Sequence, residues 1–246
     1  MTIGLKRWTC PRSTLRSKVL LMLQEVQSVL DQITDNEGET MIPIVLASQS
    51  PRRVEILSWL GVPFNATSSE FDESRILHAK PRQLTRLLAE AKAEAVTVDN
   101  KGAIIIGSDA VVDFHGQTFE KPKTKEQQRA MLNAQFGQSA RVYSSICIIN
   151  TVTGQKVIKS RMTNYRIARP SQEELEAYIE SGQGMDKAGG FGNQDEDGLF
   201  LDSLHGCYTN LLGFPLCDVA MILRSMDVPI KVNVKKVVNQ KTGRDC

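Results

Sequence analysis

With 246 residues, 41% of them hydrophobic and 24% charged, the chain has the makeup of a globular protein able to bury one α/β core or two small lobes. A net charge of +2 gives no broad basic field for nucleic acid or an acidic membrane, so any anion site has to be a local cluster. The five cysteines, at 10, 147, 207, 217 and 246, form no C-x-x-C pair, and their odd number suits reduced thiols rather than a disulfide framework. His78, His115 and His205 stand too far apart for a zinc site, and nothing resembles a nucleophile elbow.

The first forty residues differ from the rest. Residues 1–24 hold Lys6, Arg7, Arg12, Arg16 and Lys18 with no acid, and their longest apolar run, from Val19 to Leu23, is too short to span a membrane. Val19, Leu23, Val26, Leu30 and Ile33 recur at helical spacing, and Asp31, Asp35, Glu37, Gly38 and Glu39 then make an acidic linker. This segment reads as an extension outside the main domain of a cytoplasmic protein. A mitochondrial presequence is the alternative reading of its basic start.

From residue 41 strands alternate with helices. Ile42–Ala47 reads as a buried strand, Ser50-Pro51 as the start of a helix with Val54, Leu57 and Leu60 inward, and Gly61 as its stop. A strand over Val62–Ala66 follows. Then comes a helix from Pro81 to about Val98 with Leu84, Leu87, Leu88, Ala91 and Ala95 inward. Ala103–Ile106 is a short apolar strand, and Ala110–Phe114 continues extended across a turn. Lys125–Phe136 is a helix, Arg141–Asn150 and Gln155–Arg166 a hairpin, and Gln172–Ser181 and Asp218–Met226 further helices. The alternation predicts an α/β fold with helices packed on a sheet, ending in a polar tail over 236–246.

The chemistry is expected where strands end. Arg52 and Arg53 fall in a helix's first turn, where unpaired N–H groups suit phosphate and two cations oppose the helix dipole unless an anion is bound. An exposed surface pair is the plain alternative. Asp109, after the strand Ala103–Ile106, lies at the usual ligand edge of an open sheet, where a carboxylate holds Mg²⁺ or activates water, or merely forms a turn. Glu73 adds acid nearby in sequence, while Lys121 in a loop and Lys92 on a polar helix face would not attract notice alone.

Together these segments resemble a known family. Ala47-Ser48-Gln49-Ser50-Pro51-Arg52-Arg53 looks like the opening motif of the Maf-like nucleoside triphosphate pyrophosphatases, and Gly107-Ser108-Asp109-Ala110-Val111-Val112 resembles their Gly-Ala-Asp-Thr-Val-Val. Glu120-Lys121-Pro122 matches their Glu-Lys-Pro. The run from Asp186-Lys187-Ala188-Gly189 to Gln194 resembles their Asp-Lys-Ala-Gly segment, and Asn210-Leu211-Leu212-Gly213-Phe214-Pro215-Leu216 their Asn-Val-Val-Gly-Leu-Pro-Leu. Order and spacing agree from about residue 42 to 225, which makes 41–235 the expected Maf-like domain.

The resemblance implies a mixed twisted sheet with flanking helices and two lobes around a deep nucleotide cleft. It also implies a homodimer and a divalent cation, Mg²⁺ or Mn²⁺, while the near-neutral charge already points to no nucleic-acid or membrane partner. The implied reaction is hydrolysis of a nucleoside triphosphate to the monophosphate and pyrophosphate. Asp109 would be the base, Glu73 and Asp109 would hold metal, and Lys121 would assist catalysis. Ser48, Arg52, Arg53, Lys92 and Lys121 would contact phosphates, and Gln194 would sit near the base. Gln194 points to the dTTP and UTP branch, with CTP and modified pyrimidine nucleotides as further candidates, and Arg52, Ala110 and Gln194 are the specificity positions.

The chain departs from the pattern in places. Ala110 stands where Thr is usual, Asn193 replaces an apolar residue, and His205-Gly206-Cys207-Tyr208 replaces a Glu-Gly-Asp-Tyr type of segment. Two other functions stay open on these residues. One is a nucleotide-binding regulator that has lost turnover. The other is a nucleic-acid module, which the lack of aromatic–basic interleaving disfavours.

Overall fold

The computed structural model describes residues 41–76, 80–192 and 201–246. The helix and linker read over residues 1–40, and the positions Asn193 and Gln194, lie outside the described residues. The strands are β1 (Ile44–Leu46), β2 (Asn65–Ala66), β3 (Ile104–Phe114), β4 (Gln117–Phe119), β5 (Ser139–Asn150), β6 (Lys156–Ile167) and β7 (Leu201–His205). They form one seven-stranded mixed sheet in the order β2-β1-β3-β5-β6-β7, with β4 also paired to β3. The helices are α1 (Pro51–Ser58), α2 (Pro81–Thr97), α3 (Lys125–Gln135), α4 (Gln172–Glu180), α5 (Tyr208–Leu211), α6 (Leu216–Arg224) and α7 (Val234–Thr242).

Side chains alternate across a strand, so the apolar runs supply both faces of the sheet. On one face Ile44, Leu46, Ile104, Ile106, Ile146 and Ile148 pack with Leu57 of α1, Val219 and Leu223 of α6 and Val238 of α7. On the other, Val45, Ile105 and Cys147 pack with Ala89, Ala93 and Val96 of α2. Farther along the long strands a separate core gathers Val112, Val142 and Tyr165 with Leu132 of α3 and Leu175 and Ile179 of α4. β3 contributes to all three clusters, through Ile104 and Ile106, Ile105, and Val112.

Gly107-Ser108-Asp109 is not a turn. It lies in the middle of β3, because β5 keeps pairing through it: Gly107 with Cys147, Ser108 with Ile146 and Asp109 with Ser145. The other edge of β3 is interrupted. There β1 pairs in parallel with Ile104–Ile106, and β4 pairs antiparallel with Val112–Phe114, leaving residues 107–111 without a strand partner.

α2 is also rotated from the expected stripe. Its buried residues are Thr85, Leu88, Ala89, Lys92, Ala93 and Val96, while Leu87 is exposed. Gly107 explains the rotation. A Cβ there would lie 2.2 Å from the Ala89 carbonyl oxygen and 2.8 Å from the Ala93 Cβ. Glycine on the strand and alanines on the helix let the two backbones approach closely, so the Ala89–Ala93 side turns to the sheet and takes Lys92 with it.

Two further differences concern the C-terminal region. Residues read as a polar tail begin inside α7, which buries Val234 and Val238. Cys207 and Cys246 are bonded to each other, while Cys147 and Cys217 are free. Spacing could not show that pair, because the fold alone brings together two cysteines 39 residues apart. Among the described residues no helix is long and apolar enough to cross a membrane.

Candidate active site

The site forms at the break in the sheet. β1 ends at Leu46, and the Ala47 N–H donates to the Ile106 carbonyl at 2.9 Å, so Ser48 emerges beside Ser108. Ser50 N-caps α1 through its backbone only, with Pro51 in the first turn, and the Ser50 N–H donates to Ser48 Oγ at 3.3 Å. Neighbouring residues on a helix point about 100° apart, so Arg52 and Arg53 diverge. Arg53 turns inward and donates from Nη1 to the Ser108 carbonyl at 2.8 Å and to Ser48 Oγ at 3.4 Å. A guanidinium therefore fills part of the break that a strand would have closed. Burial lowers the pKa of Arg53 against the opposing pull of Asp109 and Glu73.

Alternation sends Asp109 to the α2 face, where Lys92 waits. Lys92 Nζ lies 2.7 Å from Asp109 Oδ1 and 2.8 Å from Glu73 Oε1. Glu73 comes from a short 3-10 turn, Glu73–Arg75, whose start is capped by the Asp72 side chain accepting from the Ser74 N–H. The Asp109 side chain is 7% exposed and that of Glu73 56%, so a closed floor opens toward solvent on the Glu73 side. Asp109 Oδ2 is buried and has no hydrogen-bond partner among the described residues. Burial pushes the Asp109 pKa up, the cations Lys92 and Arg53 pull it back without cancelling the rise, and Glu73 adds to it. Such a carboxyl binds a proton more readily than an ordinary aspartate and has one lone-pair face still to satisfy.

Ser108 and Ala110 point to the opposite face. Ser108 Oγ donates to the Gly213 carbonyl at 3.4 Å, and Gly213, at φ 85, sits where a Cβ would come 3.2 Å from the Ala110 Cβ. The small Ala110 is what lets the α5–α6 connection press against β3.

The remaining expected residues fall at the rim. Lys121 is exposed and forms no hydrogen bond or ion pair among the described residues. It lies two residues past Phe119, which pairs with Val112, so the antiparallel direction carries it back toward Asp109. Arg52 stands near Asp186 and Tyr208. Burial pushes Asp186 up, but Lys187, 2.8 Å away, and Arg52 together bring its pKa below the ordinary value. Asp186 and Lys187, which belong to the Asp-Lys-Ala-Gly segment, join the rim through their position beside Arg52. Lys92, expected from the resemblance alone, also carries a local signal: it continues the Thr85, Leu88, Val96 stripe at spacings of three and four. Gln194, the expected base contact, lies outside the described residues.

The Maf-like protein family model matches residues 43–226, the span that carries β1 through α6. This chain belongs to the Maf-like family. Among its curated relatives, a dTTP/UTP pyrophosphatase of Desulforamulus reducens is 36% identical over 190 residues, 77% of this chain and all of the relative. One of Clostridium perfringens is 37% identical over 189 residues, covering 76% and 98%, and one of Deinococcus radiodurans 35% over 192 residues, covering 78% and 96%. A solved Ham1 protein of Coxiella burnetii aligns at TM-score 0.42 and 15% identity over 75% of this chain and all of its own, too loosely to argue from. Within this Maf-like chain, Ser48, Arg53, Glu73, Lys92 and Asp109 are brought together; Arg52 and Lys121 border them.

Proposed function

We propose that the chain is a nucleoside triphosphate pyrophosphatase acting on dTTP and UTP, which releases the nucleoside monophosphate and pyrophosphate. The observation that carries the reading is Asp109: a buried carboxylate with one oxygen on Lys92 and the other unpartnered, facing a break in the sheet lined by a guanidinium. The names of the curated relatives supply the nucleotides.

The chain's own residues account for the chemistry. Lys92, fixed between Asp109 and Glu73, sets the carboxylate's orientation. Asp109 Oδ2 accepts a proton from water as the water oxygen bonds to phosphorus at the α–β linkage, and the bond to the bridging oxygen breaks. Its raised pKa makes it a stronger base than an ordinary aspartate. Arg53, Arg52 and Lys121 face the charge on the triphosphate, each contributing about 4 kcal/mol of gross attraction at 4 Å and an effective dielectric near 20. Ser48 Oγ, already accepting from two donors, is free to give its own proton to a phosphate oxygen.

A divalent cation fits the same carboxylates. Among the described residues no group of three or more His, Cys, Asp or Glu forms a complete cage. Lys92 Nζ already holds Asp109 Oδ1 and Glu73 Oε1, so Mg²⁺ or Mn²⁺ would bind at the unpartnered Asp109 Oδ2, with Glu73 beside it and the rest of the shell drawn from phosphate and water. Bound there, the cation would neutralise phosphate charge and sharpen the acidity of the water.

A nucleotide panel tests the reading. Pyrophosphate release with Mg²⁺ or Mn²⁺ is expected to be fastest with dTTP and UTP. A preference for purine triphosphates would refute the pyrimidine assignment, and no release from any triphosphate would refute the activity.

A further inference from the structure

Residues 227–246 lie beyond the span that the family model matches, and Cys207 is one of the departures from the resemblance noted in the sequence. Both features meet at α5. Gly243, at φ 66, ends α7 and turns the chain back. Tyr208 N–H then donates to the Asp245 carbonyl at 3.1 Å, and the Arg244 guanidinium lies 5.7 Å from the centre of the Tyr208 ring. Cys246 is bonded to Cys207, and Thr209 Oγ1 lies 3.1 Å from the Cys246 sulfur. Three consecutive α5-region residues are thus held by three consecutive residues of the C-terminal segment.

α5 in turn supports the catalytic strand. The Asn210 carbonyl accepts from Ser144 Oγ at 3.1 Å, and Ser144 pairs with Ala110. The Gly213 carbonyl accepts from Ser108 Oγ, so the neighbours of Asp109 on both sides rest on the α5–α6 connection. Tyr208 also stands within the field of Arg52 as well as Arg244. What grips α5 therefore acts on the two flanks of Asp109 and on the rim arginine.

We propose that the Cys207–Cys246 bond is a redox-operated latch that positions α5, and through it Ser108, Ala110 and Arg52, for nucleotide binding. Closed, it holds residues 244–246 on α5; open, that segment is released and the nucleotide site loses affinity. Cys207 is buried, and Cys246 is the half-exposed sulfur through which exchange begins. The Cys246 thiolate attacks a low-molecular-weight disulfide, forming a mixed disulfide and expelling one thiolate. The Cys207 thiolate then attacks the Cys246 sulfur, closing the internal bond and expelling the second. Two protein thiols lose two electrons and two protons, and one small disulfide becomes two thiols.

The inference rests on the nucleotide site proposed above, and linkage supplies a test that separates the two. If closure favours nucleotide, nucleotide must favour closure by the same factor, and couplings of this kind run roughly 5–150-fold. The full chain is equilibrated with graded ratios of oxidised to reduced dithiothreitol, with and without saturating α,β-imido-dUTP and Mg²⁺. Alkylation and mass spectrometry read the closed fraction, and hydrogen exchange reads the α5 amides. The latch predicts slower exchange at Tyr208–Leu212 in the closed form and a closure midpoint displaced by about tenfold in dithiothreitol ratio when nucleotide is bound. It also predicts a KM for UTP about tenfold lower in the closed form, with kcat within about twofold. Cys246→Ser should bind nucleotide like the reduced protein and ignore the ratio. Unchanged α5 exchange on closure, or an identical midpoint with bound nucleotide, overturns the latch. Absence of nucleotide binding in both redox forms instead overturns the nucleotide site, and α5 exchange then decides the latch alone.

Discussion

Around Asp109 the cations are already partnered, whereas the rim cations Arg52 and Lys121 are not. Lys92 bridges Asp109 and Glu73, and Arg53 is fixed on Ser48 and the Ser108 carbonyl. Arg52 and Lys121 make no hydrogen bond among the described residues. The floor is organised by the fold before any ligand arrives, while the rim cations have most to gain from an anion. Changes in the floor should therefore cost turnover and stability together, and changes at the rim should cost affinity alone.

The largest separation is expected at the base itself. Asp109→Asn keeps the shape and should fold, yet lose roughly 10²–10⁴-fold in kcat, read by pyrophosphate release at saturating UTP. A variant with near-normal kcat would place the base elsewhere.

Lys92→Met should break both properties of the floor. It leaves Asp109 buried beside fewer cations, a change that typically costs about 3–5 kcal/mol, measurable by urea unfolding. The sign of its pH effect is fixed as well. Asp109 works as a base only when deprotonated, and its pKa already lies above the ordinary 3.8. Lys92 pulls that pKa down, so removing it should move the acid limb of the kcat/KM profile to higher pH. A limb that stays put or moves to lower pH would mean Lys92 is not the partner of the titrating base.

Gly107→Ala tests the packing that aims Lys92. With a Cβ 2.2 Å from a backbone oxygen, α2 must shift, at a typical cost of about 1–3 kcal/mol, and kcat should fall because Lys92 moves with the helix. Stability and turnover unchanged in this variant would separate the close approach from the chemistry.

At the rim, Arg52→Ala and Lys121→Ala should each raise KM by about tenfold, with unfolding free energy within about 0.5 kcal/mol of the parent. Equal losses of stability and affinity would make these residues structural.

The same contrast governs what the sequence could reveal. The strand–helix alternation and the phosphate-side motifs were legible because apolar runs, Ser50-Pro51 and the arginine pair are local signals. The place of Asp109 was not, since Gly-Ser-Asp has the chemistry of a turn and only the continuous ladder with β5 forces it straight. The helix pattern by itself puts Lys92 on a polar face, because a lysine on a helix normally faces water; here two carboxylates and the Gly107 contact turn it inward. The Cys207–Cys246 bond depends on how α7 returns to α5, which no spacing encodes.

Water directed by Asp109 is proposed to cleave the linkage between the α- and β-phosphates. Phosphorus NMR of UTP turned over with Mg²⁺ in ¹⁸O-water tests it directly. UMP and pyrophosphate are expected in equal amounts, with one ¹⁸O incorporated per turnover. UDP and orthophosphate as products, or turnover without incorporation of solvent oxygen, would contradict it.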